Sequence, residues 1–331
     1  LSHWWGILLL KEPTTRGPGN GISGPRWDFL YGGNMIQPLK EPKDYAEQIK
    51  HLRKEHQLLI VDDARAEIIL RRVNYYRLSA YGIGLYKPEN KEHFIDGISI
   101  EHLYSLYQFD CCLRNLILPV IEALEIELRA AISQHLAITY GPEAHKDPSI
   151  FQMKYTKAGK NIHALTMEKF DNAVIKGANM PCVKHHNQKY GGHFPIWAAV
   201  ELFTFGMLSS LYSIMQPSDQ DVIATLYRTK RGYLQGWLLA LIEVRNICAH
   251  YGRIYNMPMA QQPYLYREYQ PYSSNKVFPV LLTMKRMNSD KDLWARFHQG
   301  LIDLIRKHPE AKLEFMGFPP NWIRLLEVDR R

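Results

Sequence analysis

Between residues 99 and 138 apolar side chains return every three or four positions: Leu103, Leu106, Tyr107, Leu113, Leu116, Ile117, Val120, Ile121, Leu124, Leu128, Ile132 and Leu136. That spacing keeps them on one face of an α-helix. Ser99 stands where an N-cap belongs, Gly141-Pro142 ends the run, and Pro119 is expected to kink or split it. Tyr45, Ile49 and Leu52 mark an amphipathic helix over 43–57. Asp62-Asp63 then caps a second helix through Ile68, Ile69, Leu70 and Val73. "NYYRLSAYGIGLY" (74–86) fits a strand or a bent helix, with helix favoured, and "KPENKEHFIDG" fits a loop or short hairpin. Further helices are expected at 160–177, 195–215, 219–230, 233–251, 276–287, 290–307 and 319–328. A polar basic loop is expected over 176–193, and a tyrosine-rich loop at "QQPYLYREYQPYSSN". The pattern predicts an all-α protein with no internal repeat and no long linker.

Composition fills in this picture. The chain has 331 residues, 46% of them hydrophobic and 22% charged, which excludes a disordered chain and supplies a real core. The formal charge of +8 leans toward an acidic partner such as RNA, DNA or a membrane surface. Cys111, Cys112, Cys182 and Cys248 form no CxxC pair and suit no disulfide framework, so reduced thiols and a cytoplasmic setting are expected. No apolar run reaches the ~20 residues of a membrane helix. Residues 1–34 are rich in Gly and Pro without periodicity and make a poor signal peptide. They read as an upstream extension, with the folded domain running from Met35 to the end: a core at about 99–256 and a C-terminal helical part at about 276–331.

The densest chemistry lies at the end of an apolar helix, in "EVRNICAHYGRIYN" (243–256). On a helix Asn246 and His250 differ by about 40° and share a face, whereas Arg245 and His250 differ by about 140°. The long arm of Arg245 can sweep to join them. An arginine can grip phosphate oxygens by two parallel hydrogen bonds, and a histidine can exchange protons near neutral pH. That kit is sufficient to cleave RNA without a metal or cofactor. The same residues also suit ordinary helix-end chemistry, where cations meet the terminal carbonyls.

Four blocks in order carry a wider resemblance: "VNYYRLSAYGIGLY" (73–86), "LYQFDCCLRNLILPVIEALEIELRAAISQHLAITYGP" (106–142), "FPIWAAVELFTFGMLSSLYSIM" (194–215) and "VRNICAHYGRIYN" (244–256). They resemble the Abi-like (abortive-infection) proteins of bacteria, within the HEPN superfamily. The resemblance implies a HEPN-like helical bundle with additional N- and C-terminal helices. It implies that Arg245 and His250 are a catalytic pair, with Asn246 as their polar companion, in a metal-independent endoribonuclease of phage defence or toxin-like growth arrest. It also implies a homodimer in which two motifs face one cleft, one histidine acting as base and its twin as acid. RNA is the implied substrate, and an antitoxin or small RNA a further partner. The alternative is a non-catalytic RNA-binding or protein-interaction HEPN protein. One departure is Tyr251, where the family often carries another basic or polar residue.

Other residues carry weaker signals. Tyr251, Arg253, Tyr255 and Asn256 are candidates for contacting RNA, and packing or capping explains Arg253, Tyr255 and Asn256 equally well. Glu201, in an apolar segment, is expected to pair with Arg245 or Arg129. Glu122, Glu125 and Arg129 line a polar seam or face solvent. Cys182, His185, His186 and His193 make a zinc site conceivable, but a flexible basic loop is preferred and no metal is expected. Tyr264, Tyr266, Tyr269 and Tyr272 around Arg267 could stack on bases, although packing on the domain is the commoner role. No phosphate-binding glycine loop and no dinucleotide motif are present.

Overall fold

A computed structural model of the chain describes residues 41–328. The reading of residues 1–34 as an extension lies outside them. The helices are α1 (Tyr45–Glu55), α2 (Asp63–Arg72), α3 (Tyr75–Ser79), α4 (Ile100–Tyr140), α5 (Ile162–Lys176), α6 (Pro181–Tyr190), α7 (Ile196–Ala199), α8 (Phe205–Ile214), α9 (Pro217–Leu226), α10 (Arg231–Ala249), α11 (Phe278–Met287), α12 (Lys291–Lys307) and α13 (Trp322–Leu326). Among the described residues there is no strand beyond isolated bridges such as Tyr86–Phe94, which stands where a hairpin was an option. The protein is all-α. No described helix is long and apolar enough to cross a membrane.

The longest apolar period gives the longest helix. α4 has 41 residues, about 60 Å at 1.5 Å per residue. Ser99 caps it, accepting the N–H of His102 at 3.1 Å. Its buried face carries Leu103, Leu106, Leu113, Ile117, Val120, Ile121, Leu124, Leu128, Ile132 and Leu136. Each such side chain contributes about 2 kcal/mol on burial. Against α4 pack α7 to α12, so it is the central rod of the core.

Pro119 does not split this helix. The proline removes one backbone donor and crowds the carbonyl four residues back, that of Asn115. Both residues are exposed. Water can satisfy that carbonyl, while Ile117, Val120 and Ile121 anchor the opposite side.

Two further expectations are corrected. The basic stretch 176–193 is not a loop: it contains α6, with Pro181 at its first turn and Gly191 closing it in the left-handed conformation. Only Val183 of α6 is buried, which is why no apolar period announces it. The segment 195–215 is not one helix either. α7 passes into a 3₁₀ turn at Val200–Leu202, and α8 begins afresh with Thr204 as its cap. Arg129 of α4 occupies the break, its Nε donating to the Val200 carbonyl at 2.8 Å and its Nη2 to the Phe203 carbonyl at 3.1 Å.

His145, after α4, is fully buried beside the Phe170 and Phe203 rings. Neither ring nitrogen has a hydrogen-bond partner among the described residues. Burial drives its pKa down from 6.5 to about 4. Above 6.5 the ring is neutral in both folded and unfolded chains. As the pH falls from 6.5 toward 4, only the unfolded chain takes up the proton, so stability is lost across that window. The loss approaches about 3 kcal/mol by the low end. Urea unfolding of wild type and His145→Leu at pH 7 and pH 5 checks this: the variant is expected to lose about 2 kcal/mol less between the two.

Candidate functional site

The segment after α10 is built around a buried ion pair. Asp110 and Arg114 lie one turn apart on the inner face of α4, with the Asp110 side chain fully buried and paired to Arg114 Nη1. The Asp110 carboxylate also accepts the Tyr81 hydroxyl at 2.8 Å and the backbone N–H groups of Ile254 at 3.0 Å and Tyr255 at 2.8 Å. Arg114 Nη1 donates to the Gly252 carbonyl at 2.9 Å. Burial pushes the Asp110 carboxyl upward, and Arg114 with the three other donors opposes that shift. The pair therefore holds three points of irregular backbone that have no helix or sheet to satisfy them.

The remaining polar side chains of the segment divide into two sets. The inward set ties it to residues 80–83, just beyond α3, and to the C-terminal part of the chain. Arg253 Nη1 donates to the Ala80 carbonyl at 2.8 Å, and its guanidinium lies 5.9 Å from the centre of the Tyr81 ring. Tyr255 is 1% exposed and its hydroxyl accepts the Lys312 N–H at 3.1 Å. Asn256 Nδ2 donates to the Ile83 carbonyl at 2.9 Å. Glu243, on α10 shortly before Arg245, accepts the N–H groups of Ala260 and Gln261 at 2.8 and 2.6 Å. Of the residues named for RNA contact, Arg253, Tyr255 and Asn256 are thus used in holding the segment.

The outward set is Arg245, Asn246, His250 and Tyr251. α10 ends in a paired cap: the Gly252 N–H reaches the Ile247 carbonyl at 2.7 Å and the Tyr251 N–H the Cys248 carbonyl at 3.3 Å. This places Tyr251 in the left-handed region at φ 58°, a position that glycine usually fills. The Tyr251 side chain is 71% exposed, and its carbonyl accepts Arg77 Nη1 at 2.6 Å. His250 is exposed, and its ring makes no hydrogen bond to a described residue. Arg245 Nη1 donates to Asn246 Oδ1 at 3.3 Å, and its Nε stands 3.7 Å from Glu125 Oε2. Glu125 is shared with Arg129, 3.0 Å away. Glu201 is exposed and pairs with neither arginine, which corrects that expectation. Its turn presents backbone carbonyls to Arg129 instead.

The sequence model of the Abi-like protein family matches residues 68–256, more than half of the chain. The chain belongs to the Abi-like family. The match begins within α2 and ends at Asn256, so it takes in Asp110, Arg114 and every residue of both sets. No curated relative and no solved structure matches.

Elsewhere in this Abi-like protein, no three His, Cys, Asp or Glu side chains among the described residues come together as a metal site. His186 Nδ1 lies 3.1 Å from the His193 carbonyl, and His193 Nδ1 is 3.0 Å from Glu143. Burial pushes the Cys248 thiol up to about 12, so it stays protonated. In the tyrosine-rich loop, Tyr266 stacks on Tyr233 at 4.4 Å and Tyr272 meets Phe278, while Tyr264 is exposed.

Proposed function

We propose that this Abi-like protein is a metal-independent endoribonuclease of the HEPN type that acts in phage defence. The single observation that carries the proposal is the division of the segment 243–256. Its structural work is done by the inward residues and by Asp110 and Arg114, whereas Arg245, Asn246, His250 and Tyr251 stand at one helix end with their polar groups at or near the surface. Among the described residues the His250 ring has no hydrogen-bond partner that would explain it.

In this reading Arg245 stabilises charge developing on the scissile phosphate, His250 exchanges the proton of the 2′-hydroxyl or the leaving oxygen, and Asn246 orients Arg245. One chain offers one histidine, so a second copy would supply the other acid–base group across a shared cleft. Incubation of the full-length protein with total RNA in EDTA tests the reading. Fragments are expected to end in 2′,3′-cyclic phosphates, and RNA with methylated 2′-hydroxyls is expected to resist. Cleavage that needs added metal, or that ignores the methyl groups, overturns it.

The 3.7 Å approach of Arg245 to Glu125 favours a second reading. A guanidinium already facing a carboxylate is less free to stabilise charge on a scissile phosphate, which leaves holding RNA or a protein partner without cutting as the role of this surface. RNA binding without breakage, unchanged in His250→Ala, is the result that selects this alternative.

A further inference from the structure

A cavity of about 220 Å³ opens where α11 ends and α12 begins. Four cationic side chains line it: Arg228 from the turn before α10, Lys285 and Arg286 from the last turn of α11, and Lys291 from the first turn of α12. Asn288, Ser289 and Tyr269 complete its polar lining, and no carboxylate is among the described residues that line it. Acidic groups among the described residues meet the lining side chains from outside it, among them Glu268, 3.8 Å from Arg286 Nη1, and Glu127, which accepts the Ser289 hydroxyl.

Helix-end electrostatics accounts for part of this cluster. Lys285 and Arg286 sit at the negative end of the α11 dipole, and Lys285 donates to the Leu325 carbonyl at 3.1 Å. Lys291 has the opposite placement. It is the first residue of α12, at the positive end of a helix dipole, where a cation is disfavoured. The N-terminal amides of α12 are served by the Asp290 carboxylate.

Arg286 is the fixed point of the cavity. Its guanidinium lies 4.1 Å over the Tyr266 ring, and its Nη2 donates to the Arg228 carbonyl at 3.1 Å. That bond helps hold Arg228 in the left-handed region, at φ 52°. Two buried polar atoms of the lining residues nevertheless lack partners among the described residues: the donor Nε of Arg286 and the acceptor Oδ1 of Asn288. Leaving such groups unmet carries a desolvation cost.

We propose that this cavity binds a phosphate monoester, carried either by a free nucleotide or by the phosphorylated end of an RNA. A dianion answers the concentration of positive charge, and its oxygens suit the half-buried guanidinium of Arg286. The volume is small for a drug-sized ligand, so it admits a phosphate with its adjoining sugar and not a length of chain. The cavity lies at the opposite end of α10 from His250, about 27 Å along the helix. It is therefore independent of the ribonuclease reading.

Calorimetric titration of the full-length protein with inorganic phosphate, adenosine 5′-monophosphate, and short RNAs ending in 5′-phosphate or 5′-hydroxyl tests the proposal. Wild type is expected to bind the phosphate-bearing probes saturably. Arg228→Ser/Lys291→Ser, both exposed positions, and Arg286→Lys, which keeps the charge but loses the planar fork, are expected to weaken that binding by about tenfold or more. Their melting temperatures show whether the fold is kept. Arg245→Ala and His250→Ala are expected to bind inorganic phosphate and adenosine 5′-monophosphate as wild type does, so loss of RNA cleavage and loss of phosphate binding are separate outcomes. Tighter binding of phosphorylated than of hydroxyl RNA identifies an RNA end as the source. Binding of the mononucleotide without that preference identifies a free nucleotide. Absence of saturable phosphate binding by wild type overturns the proposal. So does unchanged affinity in the folded cavity variants, or loss confined to Arg245→Ala.

Discussion

His250→Ala is expected to lower the rate of RNA cleavage by about 10²–10⁴-fold, the range associated with removing a positioned acid–base group. The same substitution is expected to change stability by no more than about 0.5 kcal/mol, because the ring is exposed and makes no described hydrogen bond. The backbone of His250 has φ −102° and ψ 20°, a conformation open to alanine. The two expectations together give the experiment its force. A residue that merely ended the helix would show little of either effect, and a residue that held the segment together would show both. RNA affinity measured alongside is expected to be nearly unchanged, since one ring contributes little to a polyanion interaction set by many cations. Equal cleavage rates in wild type and His250→Ala, with both proteins folded, would remove the histidine from the chemistry and leave the binding reading in its place.

Much of this arrangement is written in the apolar period. The long face of α4, the caps at Asp62 and Ser99, and the apolar run of α10 all follow from local pattern, and these helices form within a few residues of their expected bounds. The pattern fails where local signals and packing part company. α6 buries a single side chain, so only its proline start and glycine end mark it. The break between α7 and α8 depends on Arg129, which approaches from about 70 residues away and supplies donors that no local window contains. At the candidate site the residue types are legible, but their direction is not. Arg253, Tyr255 and Asn256 look as suited to RNA as Arg245 and His250 do. Only the folded chain separates them, because inward or outward is decided by the ion pair on α4. The one local hint of that pair is two opposite charges, Asp110 and Arg114, placed at helical spacing among Phe109, Leu113 and Ile117 on a face that should be wholly apolar.

Asp110→Ala is expected to destabilise the protein by about 3–5 kcal/mol, the cost of breaking a buried pair and leaving its partner charged. Urea unfolding measures it. The pair is unlike most buried salt bridges in one respect. An isolated pair can often be replaced by apolar residues of similar volume at no net cost. Here the carboxylate also accepts two backbone N–H groups and a tyrosine hydroxyl, and the guanidinium also caps a backbone carbonyl. Those groups belong to Tyr81, Gly252, Ile254 and Tyr255, and all but the half-buried Gly252 are buried whatever occupies positions 110 and 114. Asp110→Leu/Arg114→Met is therefore expected to stay at least about 3 kcal/mol less stable than wild type, since each orphaned group costs about 1–3 kcal/mol. A double variant as stable as wild type would mean that the backbone finds other partners and that the pair is not what holds the segment. If the pair does hold it, cleavage should fall in the double variant below its melting temperature as well. His250 and Tyr251 stand immediately before the Gly252 carbonyl that Arg114 fixes, so their positions are set from the core.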